Sequence, residues 1–124
     1  DAYVAASETS AFDLIGAEYI RDVEPGELLI ISDKGIEVDR FAEKDRRAMC
    51  AMEYVYFARP DSNIAGVNVH MARKRMGKEL AKEWKALGIE ADVITGVPDS
   101  SISAAIGFAE ESQIPYELVL IKNR

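Results

Sequence analysis

The stretch Ala91-Asp92-Val93-Ile94-Thr95-Gly96-Val97-Pro98-Asp99-Ser100-Ser101-Ile102 decides the fold. A short apolar run, 91–95, breaks at Gly96-Val97-Pro98 and restarts as a helix at Asp99-Ser100-Ser101, so it predicts a strand, a tight turn and a helix N-terminus. Unpaired amide hydrogens and the positive end of a helix dipole meet at such a junction, which can hold a phosphate or pyrophosphate without a basic side chain. The hydroxyls of Ser100 and Ser101 add neutral oxygen donors. Asp and Ser at a helix start also serve as plain caps, so the junction alone does not name a ligand.

The segment before this junction carries Val69, Ala72, Met76, Leu80, Trp84 and Leu87 at spacings of three and four. That spacing predicts one helical stripe, with Arg73, Lys74, Lys78 and Lys82 turned mainly elsewhere and Gly88 as the stop. After the junction, Ile102, Ala105, Ile106 and Ala109 mark the inward face of a second helix, and Tyr116 to Ile121 reads as a strand. Helix, strand, helix, strand implies a parallel sheet with crossovers. Two strands with two helices leave sheet edges and apolar surface uncovered, so this half reads as the opening of a larger α/β domain that continues past Lys122-Asn123-Arg124.

Residues 1–57 have a different texture. Ala2 to Ala6 reads as a strand, and Ser7-Glu8-Thr9-Ser10 opens a helical turn carrying Phe12, Leu14 and Ile15. Glu18 to Val23, Glu27 to Ser32 and Ile36 to Phe41 read as strands separated by Glu24-Pro25-Gly26 and Asp33-Lys34-Gly35, and the whole predicts an antiparallel meander. A charged link, 42–47, leads to a further strand expected over Met49 to Phe57, where Met52, Tyr54 and Tyr56 alternate with Glu53 and Val55. Residues 58–67 form a connector. The fold class is therefore mixed: α+β to residue 57, α/β from residue 68.

Composition narrows the partners. A formal charge of −7 over 124 residues argues against a nucleic-acid surface, which needs a basic face. The single cysteine, Cys50, excludes an internal disulfide and fits a reducing, cytoplasmic location. No apolar run approaches the roughly 18 residues needed to span a bilayer, and no membrane partner is expected. His70, the sole histidine, has no second ligand nearby for zinc and reads as a helix-surface or interface residue.

Several runs together resemble the glutamine phosphoribosylpyrophosphate amidotransferase (amidophosphoribosyltransferase) family. They are Ala6-Ser7-Glu8-Thr9, Glu24-Pro25-Gly26-Glu27, the ten-residue run Glu53-Tyr54-Val55-Tyr56-Phe57-Ala58-Arg59-Pro60-Asp61-Ser62, Gly96-Val97-Pro98-Asp99-Ser100, and Ile121-Lys122-Asn123-Arg124. The resemblance covers nearly the whole chain. It implies that residues 1–57 close an N-terminal-nucleophile glutamine amidohydrolase domain and that 68–124 begin a type I phosphoribosyltransferase domain. Enzymes of this family transfer ammonia from glutamine to phosphoribosyl pyrophosphate in the first step of purine synthesis, giving phosphoribosylamine, pyrophosphate and glutamate.

On this resemblance Gly96, Val97, Pro98, Asp99, Ser100 and Ser101 look like the family's pyrophosphate loop, with Gly96 allowing close approach, Pro98 stiffening the turn and the Ser100 oxygen facing Mg²⁺ directly or through water. Lys122-Asn123-Arg124 looks like the start of the family's mobile loop over the substrate, and the resemblance assigns Arg73 and Lys122 to a phosphate-bearing ligand such as the purine nucleotides that inhibit the family. Cys50 matches a position where one branch of the family ligates a [4Fe-4S] cluster, which takes about four protein ligands, so one cysteine cannot hold it alone. Arg59 and Asp61 are expected to pair at the connector. Ser10 and Gln113 stand where relatives often carry cysteine and glycine. The nucleophilic cysteine and the acidic ribose-binding pair lie outside these residues, so the chain alone is expected to be inactive, within a parent enzyme that is expected to be a homo-oligomer. A non-catalytic module binding a phosphoribosyl ligand or a partner protein is the alternative, and an amidohydrolase with another acceptor is a third reading.

Overall fold

The computed structural model describes residues 2–43 and 48–123. The chain is mixed α/β with small antiparallel sheets, and it divides into two compact units, 1–50 and 51–124. The tail of the charged link, 44–47, lies outside the described residues.

In the first unit a short helix α1, Ser10–Ile15, ends at Gly16 in the left-handed region, as the Ser7 to Ser10 opening predicted. Strands β1, Glu27–Ser32, and β2, Gly35–Arg40, form an antiparallel hairpin with Leu29 opposite Val38 and Ser32 opposite Gly35. The turn before β1 needs its glycine. Gly26 has φ +74°, and a Cβ there would stand 2.7 Å from the Ala42 carbonyl oxygen. The strands expected at Ala2 to Ala6 and Glu18 to Val23 are absent; neither segment has a ladder partner among the described residues. A strand exists only where a neighbour takes its backbone groups, which alternation in sequence cannot supply.

In the second unit the expected strand over Met49 to Phe57 is replaced by a helical segment, with a π-helical turn at Glu53–Phe57. Two carbonyls of this stretch take a donor from α2: the Arg73 guanidinium donates to the Tyr54 and Ala58 carbonyls, at 2.5 and 2.9 Å. The Tyr54 hydroxyl donates to the Ile64 carbonyl at 2.8 Å. The connector then makes a two-residue ladder of β3, Asn63–Ile64, with β4, Val67–Asn68. Helix α2, Val69–Lys85, follows with Asn68 as its cap, the side-chain oxygen accepting from the Met71 amide at 3.1 Å.

Helix α3, Ile102–Ser112, packs on α2. The contacts His70 to Ser103, Trp84 to Phe108 and Lys85 to Glu111 rise together along both helices, so the two run in broadly the same direction. Their crossing depends on glycine: a Cβ on Gly77 would come 2.7 Å from the Ala104 carbonyl carbon, and one on Gly107 would come 2.8 Å from that of Lys74. The buried face of α2 is consequently Val69, Arg73, Gly77 and Ala81, while Met76, Leu80 and Leu87 of the expected stripe are exposed. Gln113 terminates α3 in the left-handed region at φ +65°.

The strands expected over 91–95 and 116–121 reduce to one parallel bridge, Ile94 to Tyr116, made by the Ile94 amide on the Pro115 carbonyl and the Glu117 amide on the Ile94 carbonyl, each at 2.9 Å. The parallel direction is as expected. A longer ladder needs further neighbours, and none stands beside either segment among the described residues.

Candidate functional site

The 96–101 loop leaves the bridge at Ile94 and delivers the chain to α3. Gly96 is buried against the first turn of that helix, where a Cβ would stand 3.1 Å from the Ile102 Cα and 3.2 Å from the Ala105 Cβ. The backbone thus lies closer to the helix than most side chains allow, so a Cβ here would require the neighbour to give by a few tenths of an ångström. The Pro98–Asp99 peptide is cis. Across the loop, the Ser101 hydroxyl donates to the Val97 carbonyl at 2.5 Å.

Helix α3 begins at Ile102, three residues after the expected start at Asp99, because Asp99 and Ser100 lie in the turn and Ser101 is the capping position. Ala105 donates the first full helical bond, to the Ser101 carbonyl at 2.9 Å. The amides of Asp99, Ser100 and Ser101 make no hydrogen bond to the chain among the described residues. Such amides at a helix start can donate to water or to an anion. Of the two hydroxyls expected to face a ligand, that of Ser101 closes the loop instead, and Ser100 keeps the available oxygen. Val97 and Asp99 are exposed.

The parallel bridge sends residues beyond Tyr116 along the same direction as those beyond Ile94, and the Val119 amide reaches the Thr95 hydroxyl at 3.3 Å. Exposed Lys122 therefore emerges at the end of the unit that carries the loop.

Arg73 is not on a solvated helix face. It is 3% exposed, and its guanidinium donates to the carbonyls of Tyr54 and Ala58. Arg59 and Asp61 pair as expected, through Nε to Oδ1 at 3.1 Å and Nη2 to Oδ2 at 2.7 Å, and this holds the Asp61 carboxyl below its ordinary range. Cys50 is exposed, and no group of three or more metal-ligating side chains occurs among the described residues. His70, read from the sequence as a helix-surface or interface residue, is half-buried and reaches Ser103 of α3 with Nδ1 at 2.9 Å from Oγ. No sequence signal marks that pair, since 33 residues separate its members.

No helix among the described residues is long and apolar enough to cross a membrane. No family model matches the chain. Over all 124 residues the chain is 65% identical to an amidophosphoribosyltransferase of Bacillus subtilis strain 168, of which it spans 25%. It is 54% identical over 123 residues to the amidophosphoribosyltransferase of Staphylococcus epidermidis strain RP62A, spanning 24%. Among solved structures it is similar to a glutamine phosphoribosylpyrophosphate amidotransferase from B. subtilis complexed with ADP and GMP, with a TM-score of 0.87 and 64% identity over 95% of this chain and 25% of the other. A structure described as the allosteric regulatory enzyme of purine biosynthesis gives a TM-score of 0.88 at the same identity and coverage. The chain spans about a quarter of the length of these relatives.

Proposed function

We propose, from likeness along the chain's whole length, that it is a segment of an amidophosphoribosyltransferase, the enzyme that moves glutamine-derived ammonia onto phosphoribosyl pyrophosphate. In this reading residues 1–57 close a glutamine amidohydrolase domain, 58–67 connect, and 68–124 open a type I phosphoribosyltransferase domain. The observation that carries it is 65% identity over all 124 residues, supported by three loop amides that make no bond to the chain.

Ammonia attacks the anomeric carbon as its bond to the pyrophosphate oxygen breaks; the diphosphate leaves with the electron pair, and the new amine loses a proton. Charge grows on the leaving diphosphate, so donors fixed before reaction are worth most there. The amides of Asp99, Ser100 and Ser101 supply them, held in place by the Ser101 to Val97 bond and by Gly96 packed on α3. The Ser100 hydroxyl fits Mg²⁺ as one neutral oxygen among water and phosphate oxygens, the donor set this ion favours. When bound, Mg²⁺ neutralises charge on the diphosphate.

A [4Fe-4S] cluster does not fit these residues alone, since Cys50 offers one thiolate of about four. We keep Cys50 as one ligand in the longer enzyme; equal iron content in wild type and Cys50→Ser would refute this. A relative is complexed with ADP and GMP, and we carry purine nucleotides over as inhibitors, with Lys122 facing phosphate and Arg73 supporting the region through α2. Glutamine as second substrate, a homo-oligomeric assembly and a cytoplasmic location complete the reading.

The test is Ser100→Ala in the full-length enzyme. The expected result is a rise of about tenfold in KM for phosphoribosyl pyrophosphate, the order of one lost charge-assisted hydrogen bond. An unchanged KM would overturn the loop's assignment.

A further inference from the structure

The first turn of α2 is fastened to the connector. The Val69 amide donates to the Ser62 carbonyl at 3.0 Å, and the His70 amide donates to the Pro60 carbonyl at 2.9 Å. Ser62 and Val69 are fully buried, so the backbone of His70 stands in a fixed relation to the Arg59–Ser62 run. From that anchor the half-buried imidazole reaches across to α3, placing Nδ1 2.9 Å from the Ser103 hydroxyl.

Ser103 is the second residue of α3 and is 7% exposed. Two residues earlier, Ser101 closes the loop onto Val97. A helical serine without an outside partner turns its hydroxyl back to the carbonyl three or four residues before it. For Ser103 those carbonyls belong to Ser100 and Asp99, inside the loop. The Asp99 carbonyl already accepts the Ile102 amide at a long 3.4 Å. Imidazole at Ser103 therefore ties the first turn of α3 to the connector, with donor and acceptor roles set by its tautomer.

We infer that His70 is a positioning residue for the 96–101 loop, acting through Ser103 to hold the loop amides in register for a diphosphate. The inference rests on the reading of that loop as the pyrophosphate site. It assigns a role exerted through Ser103, so its signature is in affinity for one substrate only. KM for phosphoribosyl pyrophosphate should change, while glutamine hydrolysis at the other domain should not.

The experiment uses the full-length enzyme with His70→Phe, His70→Asn, Ser103→Ala and the double variant His70→Phe/Ser103→Ala. Loss of one buried hydrogen bond predicts a rise of about threefold to tenfold in KM for phosphoribosyl pyrophosphate, and in the inhibition constant of inorganic pyrophosphate, for His70→Phe and Ser103→Ala alike. The double variant should match the worse single variant, because both remove the same link. Asn carries an amide near the position of Nδ1 and should restore wild-type KM to within about twofold. KM for glutamine should not move in any of them. Unchanged phosphoribosyl pyrophosphate KM in Ser103→Ala, or additive losses in the double variant, would overturn the inference. Should His70→Phe fail to fold, Ser103→Ala decides alone, since it removes a single oxygen. Ser100→Ala separates the two readings: if it raises KM while Ser103→Ala does not, only the role of His70 fails, and if neither does, the loop assignment fails first.

Discussion

Glu27 closes the turn that starts β1 with three hydrogen bonds: Arg21 grips both carboxyl oxygens at 2.8 Å, and the Glu24 amide donates at 2.6 Å. The Arg21 guanidinium first, and the Glu24 amide second, lower its pKa from 4.5 to about 2. A carboxyl whose folded value is depressed stabilises the fold fully above its unfolded value and loses that contribution as the pH falls through the folded one. The window here runs from pH 4.5 down to about 2. A carbon-detected titration of the Glu27 carboxyl should give a midpoint near 2, and Glu27→Gln should flatten the acid limb of a stability curve over that window; a midpoint at the ordinary value would contradict the geometry. Arg73 is a buried cation that donates to two main-chain carbonyls. Arg73→Met would leave the Tyr54 and Ala58 carbonyls without this donor, so we expect a loss of about 2 to 4 kcal/mol in urea unfolding. Arg73→Lys should recover less than half, because a point ammonium does not span two carbonyls as the planar fork does.

The crossing of α2 and α3 is set by Gly77 and Gly107, each lying where a side chain would meet the other helix's backbone. Alanine normally gains about 1 kcal/mol over glycine in a helix. Here that gain is outweighed: Gly77→Ala or Gly107→Ala must force the helices apart, losing about 3 kcal/mol, at the upper end of overpacking costs. Thermal or denaturant unfolding checks it, and the double variant should fall short of the sum because one opened crossing admits both methyls. These glycines also explain what the sequence failed to reveal. Hydropathy selected Val69, which is buried, and Trp84, which packs on Phe108, but also Met76 and Leu80, which are exposed; close backbone approach buries Gly77 and Ala81 instead, which carry little hydropathic signal. The hairpin at β1 and β2 was legible because Pro25-Gly26 and Lys34-Gly35 act within a few residues of the strands they join. Met49 to Phe57 misled by alternation, since two carbonyls of that stretch take a donor from Arg73, far along the chain. At the candidate site, the break at Gly96 to Pro98 was legible as a turn before a helix. The contact of His70 with Ser103 was not, because no local pattern encodes it.

Over the whole molecule the exposed area is 9387 Å². Surface scaling gives about 6,600 Å² for a folded monomer of 13.7 kDa, and about 8,000 Å² even for two separate halves of that mass. Much of the surface is apolar: Leu14, Ile20, Phe41, Leu87 and Ile121 each stand more than two-thirds exposed. Apolar surface of this extent is ordinarily covered by protein. If the chain is a segment of an enzyme about four times its length, the remaining three-quarters supply that cover, and the isolated 124 residues must find it elsewhere. The charge of −7 opposes association at low salt and is screened within about 8 Å at physiological ionic strength. The isolated chain should therefore self-associate as salt rises, seen in sedimentation velocity as a mass that grows with concentration and in binding of an apolar dye. It should release no ammonia from glutamine at any salt. The full-length enzyme should be monodisperse under the same conditions and bind little dye. A monodisperse, dye-silent 124-residue chain that unfolds in one cooperative step would instead mark a self-sufficient domain and remove the physical reason for assigning it to a longer protein.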